Sequence, residues 1–201
     1  MSMISGTQGY KESLTQFIES AQALDFFATY TDFVKYLPTA PSPILDIGSG
    51  AGQHAAAMAE RGYNVTAIEP LTEFLNIARK TYQHLPIHWL HGWLPALEPL
   101  PETATFDFIL MTAVWHHLSP VEQFTAIERI ATLLNTGGHC ALTLRNDPPG
   151  VGTCVYATDA NITVAQADQN KLSCVLHLSH QASILPGKKK VIWDKLVLQK
   201  E

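Results

Sequence analysis

The run Ile44-Leu45-Asp46-Ile47 passes directly into Gly48-Ser49-Gly50-Ala51-Gly52, and then into an alanine-rich stretch from Gln53 to Arg61. A short apolar strand, a turn of alternating glycines and a helix thus form one continuous unit. Glycine has no Cβ, so it lets the backbone turn sharply and lets a ligand approach it closely. In an open α/β sheet a turn of this kind lies outside the carboxyl end of the first strand, where ligands bind. The spacing narrows the choice further. Here the third glycine follows the first by four positions, in G-x-G-x-G. The dinucleotide fingerprint G-x-G-x-x-G needs one residue more, because it seats a pyrophosphate on the helix N-terminus. Gln53 and His54 do not restore that pattern.

The rest of the chain alternates in the same way. Tyr63 to Glu69, Ile87 to Leu90, Phe106 to Thr112 and His139 to Arg145 read as strands. Leu71 to Tyr82 reads as a helix. A second helix starts at Ser119-Pro120-Val121-Glu122, where serine is the N-cap and glutamate its capping-box partner, and runs to about Leu134. Strand–helix alternation with nearly continuous apolar strands predicts a parallel sheet covered on both faces. The two ends differ. Apolar residues from Leu14 through Phe17, Ala21 and Leu24 to Val34 recur at steps of three and four, which predicts one or two amphipathic helices. The tail holds a weak helix between Asp159 and Gln169. It also holds two strands, Leu172 to His177 and Val191 to Leu198, whose closeness in sequence suggests an antiparallel pair. At 201 residues the chain suits a single domain, with a helical cap (1–40), a core (41–150) and a strand pair (151–201).

Asp46-Ile47-Gly48-Ser49-Gly50-Ala51-Gly52 resembles motif I of the class I S-adenosylmethionine-dependent methyltransferases. Glu69 ends the next strand at a spacing that suits a ribose ligand about 20 residues on. Phe106-Asp107-Phe108-Ile109-Leu110-Met111 is similar to the family's fourth strand. Leu133 to His139 is similar to its L-x-P-G-G turn, with Thr136 in place of proline. The resemblance covers roughly Pro43 to Arg145. It implies an α/β fold, a doubly wound and mostly parallel seven-stranded sheet in the order 3-2-1-4-5-7-6 with strand 7 antiparallel, under an N-terminal helical lid. It implies S-adenosyl-L-methionine as cofactor and S-adenosyl-L-homocysteine as product. Cofactor contacts are then expected from Asp46, Gly48, Ser49, Gly50, Gly52, Glu69, Pro70, Gly92, Trp93, Thr112 and Tyr10. Trp93 departs from the family: it stands near the position where an aspartate or asparagine often contacts the adenine, and it cannot accept that hydrogen bond.

The segment after the fourth strand, Trp115-His116-His117-Leu118, faces the transferring methyl group in the family. His116 and His117 are therefore the candidate catalytic residues: an imidazole with pKa near 6.5 can take a proton from an oxygen or nitrogen acceptor. The bland alternative is that they cap a helix or pack. Trp115, Arg145 and Tyr30 are candidate substrate contacts, and Arg145 could equally pair with Asp147. The remaining histidines show no metal-ligand spacing, so no metal is expected.

Composition argues mainly by exclusion. Net charge is −5, and the one basic run, Lys188-Lys189-Lys190, follows a Pro-Gly turn. A general affinity for nucleic acid needs clustered lysine and arginine. No asparagine-proline-proline-aromatic tetrad follows the fourth strand, so a small-molecule acceptor is favoured. Cys140, Cys154 and Cys174 are widely spaced and odd in number, which argues against a disulfide framework. The start of the chain lacks the marks of a signal peptide, and no apolar stretch is long enough to span a membrane. A cytoplasmic protein is expected, with monomer and dimer both open. Three other readings remain: an NAD(P)-dependent oxidoreductase, disfavoured by the glycine spacing; a non-catalytic cofactor-binding partner domain; and aminopropyl transfer, whose acidic amine-binding cluster is missing.

Overall fold

The structure is a computed structural model that describes residues 7–10, 14, 18, 25–146, 155–183 and 191–201. Phe17, Ala21, Leu24, Asp147, Cys154 and the lysine run Lys188 to Lys190 lie outside the described residues. Seven strands form one sheet: β1 (Pro43–Ile47), β2 (Asn64–Glu69), β3 (His88–His91), β4 (Phe106–Met111), β5 (Leu134–Arg145), β6 (Leu172–Ala182) and β7 (Ile192–Lys200). Their order is β3-β2-β1-β4-β5-β7-β6. β1 to β5 pair in parallel, and β7 runs antiparallel between β5 and β6. This is the expected order, with the expected antiparallel seventh strand.

Alternate side chains of each central strand feed two separate cores. Ile44, Phe108, Leu110 and Ala141 meet Phe26 of α1 (Phe26–Thr29), Phe33 of α2 (Thr31–Val34), Met58 of α3 (Gln53–Ala59) and Leu75 of α4 (Thr72–Thr81). Leu45, Ile47, Ile109 and Met111 meet Ile127 and Ile130 of α5 (Pro120–Leu133) and Ala167 of α6 (Ala160–Gln169). A strand buried on both faces has no position left for a polar alternation, which is why these strands read as apolar throughout. The α5 start follows its sequence: the Glu122 amide donates to Ser119 Oγ at 3.3 Å, and the Ser119 amide donates to the Glu122 carboxylate at 2.7 Å. Asp159 caps α6 by accepting from the amides of Asn161 and Ile162.

Within the predicted N-terminal helical stretch, Tyr30 (φ −116°, ψ 45°) separates α1 from α2. Two boundaries differ from those the sequence predicts. β5 begins at Leu134, directly after α5, so Gly137 and Gly138 lie inside the strand and not in a turn before it. A Cβ on Gly138 would sit 2.9 Å from the Asn135 carbonyl oxygen and 3.1 Å from that of Asp107, so glycine here answers crowding against β4. β6 extends beyond His177 to Ala182, past an irregularity where His180 takes φ +55°. Among the described residues no helix is long and apolar enough to cross a membrane.

Candidate active site

The carboxyl ends of β1, β2 and β4 converge on the glycine turn. Gly48, Gly50 and Gly52 all have positive φ, at +69°, +55° and +88°. That conformation is costly for residues with a Cβ. Two of the three also lack space. A Cβ on Gly48 would collide with Val114 Cγ2, and one on Gly52 would lie 2.5 Å from Trp89 Cη2 and 2.9 Å from Ala78 Cβ. The Gly48 and Ser49 amides both donate to the Ile68 carbonyl, at 2.8 and 3.1 Å, which holds the turn against β2.

Glu69, 4% exposed, fastens the turn from the other side. Its carboxylate accepts from the Gly50 amide at 2.8 Å and from the Leu71 amide at 2.9 Å. Each oxygen keeps a lone-pair direction for a further donor. Asp46 is buried at the end of β1. Burial, then the charge of Glu69, pushes its carboxyl up to about 7, against a backbone hydrogen bond from Ala55. Burial likewise raises Glu69 to about 7, opposed by its two backbone donors. Asp46 Oδ2 and Ser49 Oγ are buried without a hydrogen-bond partner among the described residues. A pair of buried carboxylates beside open acceptor atoms suits a cationic, donor-bearing ligand.

The other end of the cleft follows β4. Ala113 has φ +57°, and its amide donates to Thr143 Oγ1 at 2.8 Å. This sharp exit leads through Val114 into a single 3₁₀ turn, Trp115–His117. The His116 ring is buried and lies 4.2 Å from that of His117 and 5.8 Å from that of Trp193. Burial, then the neighbouring His117 and Arg145, pushes His116 down to about 2, so it is neutral. Its Nδ1 has no hydrogen-bond partner among the described residues. His117 Nε2 pairs with the Tyr10 hydroxyl at 2.8 Å. Tyr10 is raised to about 12 by burial and by Glu69, and lowered by Arg145, so its phenol lies within reach of both charges. The Arg145 guanidinium stands 6.0 Å from the Trp193 ring centroid.

Several expected residues take other places. Trp115 is a correction: its side chain is wholly buried in the core, and its indole N–H donates to Thr163 Oγ1 at 3.2 Å. A large aromatic here fills the space between the β4 exit and α6, so it is not a substrate contact. Tyr30 lies toward the glycine turn, near His54 and Asp46. It stacks on Phe33, meets His54 edge-on at 5.4 Å, and pairs its hydroxyl with Thr112. Burial raises this phenol to about 12, and nearby Asp46 adds to the rise. Gly92 is packed under Pro99, whose Cγ would lie 2.8 Å from a Cβ there. Trp93 is 41% exposed, with its ring 5.7 Å from that of His91, so it stands at the rim. The Pro70 carbonyl is engaged by His91 Nε2 at 2.9 Å. His54, not among the residues the sequence predicts for the site, packs edge-on against Tyr30 beside the glycine turn. It is 5% exposed, and burial holds it down at about 4. Its signal was its place, two residues beyond the last glycine of the turn.

This sheet order, with the glycine turn on β1 and the carboxylate ending β2, is the fold of the class I S-adenosylmethionine-dependent methyltransferases. Residues 45–142 match the family model described as "Methyltransferase domain". An "uncharacterized methyltransferase" of Mycobacterium tuberculosis (strain ATCC 25618 / H37Rv) is 34% identical over 106 residues, 53% of this chain and 52% of the relative. One from Staphylococcus carnosus is 28% identical over 121 residues, 60% of this chain and 56% of the relative. The chain thus spans about half the length of the curated relatives it matches. Among solved structures, a TehB-like SAM-dependent methyltransferase from Corynebacterium glutamicum has a TM-score of 0.69 at 15% identity, covering 96% of this chain and 98% of that one. The 1,6-didemethyltoxoflavin-N1-methyltransferase of Burkholderia thailandensis, solved with 1,6-didemethyltoxoflavin and S-adenosylhomocysteine, has a TM-score of 0.69 at 19% identity, covering 96% and 84%. At these identities the likeness is one of fold.

Proposed function

We propose that this chain is a methyltransferase that binds S-adenosylmethionine across the ends of β1, β2 and β4 and methylates a small molecule at O, N or C. The observation that carries the reading is Glu69. Its carboxylate is fixed to the Gly50 amide at 2.8 Å and remains able to accept from ribose hydroxyls. Asp46 and Ser49, with buried acceptor atoms left over, suit the ammonium-bearing methionine end. Gly48, Gly50 and Gly52 keep the turn free of side chains. Thr112, Pro70, Gly92 and the rim residue Trp93 border the same space, and Tyr10 covers it from the N-terminal segment. Bound there, the cofactor supplies an electrophilic methyl group on a sulfonium sulfur.

The rest of the work is positioning and water exclusion, for which orientation alone supplies ~7–11 kcal/mol in well-aligned reactions. His116 is neutral and, with its basicity lowered by burial, is suited to hydrogen-bond the acceptor and not to keep its proton, while His117 is held in place by Tyr10. The proposal extends to a cytoplasmic protein that does not engage nucleic acid. Isothermal titration with S-adenosylhomocysteine and with NADH tests the cofactor. Binding of the first alone is expected, and binding of NADH alone would overturn the proposal. Tight binding of S-adenosylhomocysteine with no turnover on a broad acceptor panel would move the chain to the partner-domain reading.

A further inference from the structure

We infer that His54 is a further cofactor-binding residue, whose imidazole Nδ1–H donates to the carboxylate of the cofactor's amino-acid end. The inference rests on the methyl-transfer reading above and deepens its cofactor half. Buried polar side-chain atoms in folded proteins are nearly always hydrogen-bonded. Here Asp46 Oδ2, Ser49 Oγ, Gln53 Oε1 and His54 Nδ1 are buried without a hydrogen-bond partner among the described residues. All of them belong to residues 46–54, the stretch that carries the glycine turn. Such a gathering of open atoms on one short segment points to a polar ligand that completes them.

These atoms divide by chemistry. The Asp46 carboxylate and Gln53 Oε1 accept, which suits an ammonium group. An amino-acid end also carries a carboxylate, and that group needs donors. Ionised Asp46 and Glu69 offer it none, whereas the Ser49 hydroxyl and the His54 imidazole can donate. His54 is 5% exposed, and the rings of Phe26 and Tyr30 meet it at 5.5 and 5.4 Å. The Tyr30 hydroxyl is engaged by Thr112. Burial holds the His54 imidazole down at about 4, so it is neutral and presents one N–H and one bare nitrogen. An N–H in an aromatic enclosure meets little competition from water, and its bond to a carboxylate is charge-assisted. A phenylalanine would pack against the same two rings without burying an open polar atom, so packing alone does not account for the imidazole.

The test is calorimetric titration of the full chain with S-adenosylhomocysteine, with its decarboxylated analogue, and with methylthioadenosine, which lacks the whole amino-acid end. His54→Phe keeps a ring and removes the N–H. It should weaken S-adenosylhomocysteine binding about tenfold or more, and leave the other two ligands within about twofold of the native chain. His54→Asn, whose side-chain amide falls near the place of Nδ1, should recover part of the loss. A fault of packing alone would weaken all three ligands alike, and that result overturns the inference. So does native affinity for S-adenosylhomocysteine in His54→Phe. If His54→Phe does not fold, the native chain labelled with nitrogen-15 in its histidine rings decides. The His54 Nδ1 resonance, assigned by its absence in His54→Asn, should shift with S-adenosylhomocysteine and not with the decarboxylated analogue. Equal shifts with both overturn the inference. Failure of S-adenosylhomocysteine to bind the native chain sinks the methyl-transfer reading instead, and is seen before any variant is made.

Discussion

The two ends of the cleft are built by opposite means. The cofactor end is made mostly of backbone. Asp46 to Gly52 is contiguous, its amides are pinned to Ile68 and Glu69, and Gly48 and Gly52 are demanded by Val114, Trp89 and Ala78. The end proposed for the acceptor is made of side chains gathered from far apart: Tyr10, His116 and His117, Arg145, and Trp193. A backbone cradle tolerates few replacements because φ and space are both fixed. A side-chain wall can change its chemistry one residue at a time, which fits the way one fold serves many acceptors.

The largest effect should fall where backbone and packing coincide. Gly48→Val must hold φ +69° and displace Val114, so S-adenosylhomocysteine binding is expected to vanish in titration calorimetry. Gly62→Ala also takes a positive φ, +85°, but meets nothing within 4 Å, so it should cost only ~1–2 kcal/mol and leave binding intact. Equal losses from the two would break the idea that the cradle is special. Trp115→Ala should cost ~3–5 kcal/mol in denaturant unfolding, as expected for a core aromatic. Loss of acceptor affinity at unchanged stability would return Trp115 to the site.

Glu69→Gln comes next. It should weaken S-adenosylhomocysteine binding about tenfold or more, since an amide replaces the carboxyl proposed to accept from the ribose hydroxyls. It should also change how stability depends on pH. Glu69 and Asp46 are raised from 4.5 and 3.8 to about 7, so in that window the folded chain holds more protons than the unfolded one, and stability falls as pH rises. His54 and His116 are lowered from 6.5 to about 4 and about 2, so below 6.5 the unfolded chain holds more protons, and stability rises with pH. Removing Glu69 leaves the histidines less opposed. Melting temperature should then climb more steeply from about pH 5 to about pH 7 in Glu69→Gln than in the native chain. A parallel curve would mean that Glu69 is not protonated in that range. The smallest effect is expected of Tyr10→Phe. It removes one hydrogen bond, to His117, at ~0.5–1.5 kcal/mol, and should lower turnover more than cofactor affinity.

The same contrast governs what could be read from the chain. The parallel sheet was legible because strands buried on both faces leave apolar runs, the glycine turn because its glycines are contiguous in sequence, and the strand order through the resemblance to the methyltransferase family. The Ser119 to Glu122 cap was legible for the same local reason. The acceptor end was legible only as separate residues. No spacing could reveal that Tyr10 reaches His117, that Trp193 joins Arg145 to His116, or that Trp115 turns away to Thr163. Those pairings are products of tertiary packing. Gly137 and Gly138 misled for a related reason, since a pair in which one glycine takes φ +80° and the other answers crowding against β4 looks like one that makes a turn.

Lys195 on β7 donates to the Asp32 carboxylate of α2 at 2.9 Å, and its ammonium lies 5.6 Å from the Tyr30 ring centroid. An early helix is therefore moored to the last strand of the sheet. On the ribosome, the glycine turn and Glu69 emerge long before that strand does. A nascent chain can fold its cofactor cradle first, but α2 has no berth on β7 until residue 195 has been made. The docking of α2 thus waits on β7, although α2 precedes every strand of the sheet in sequence.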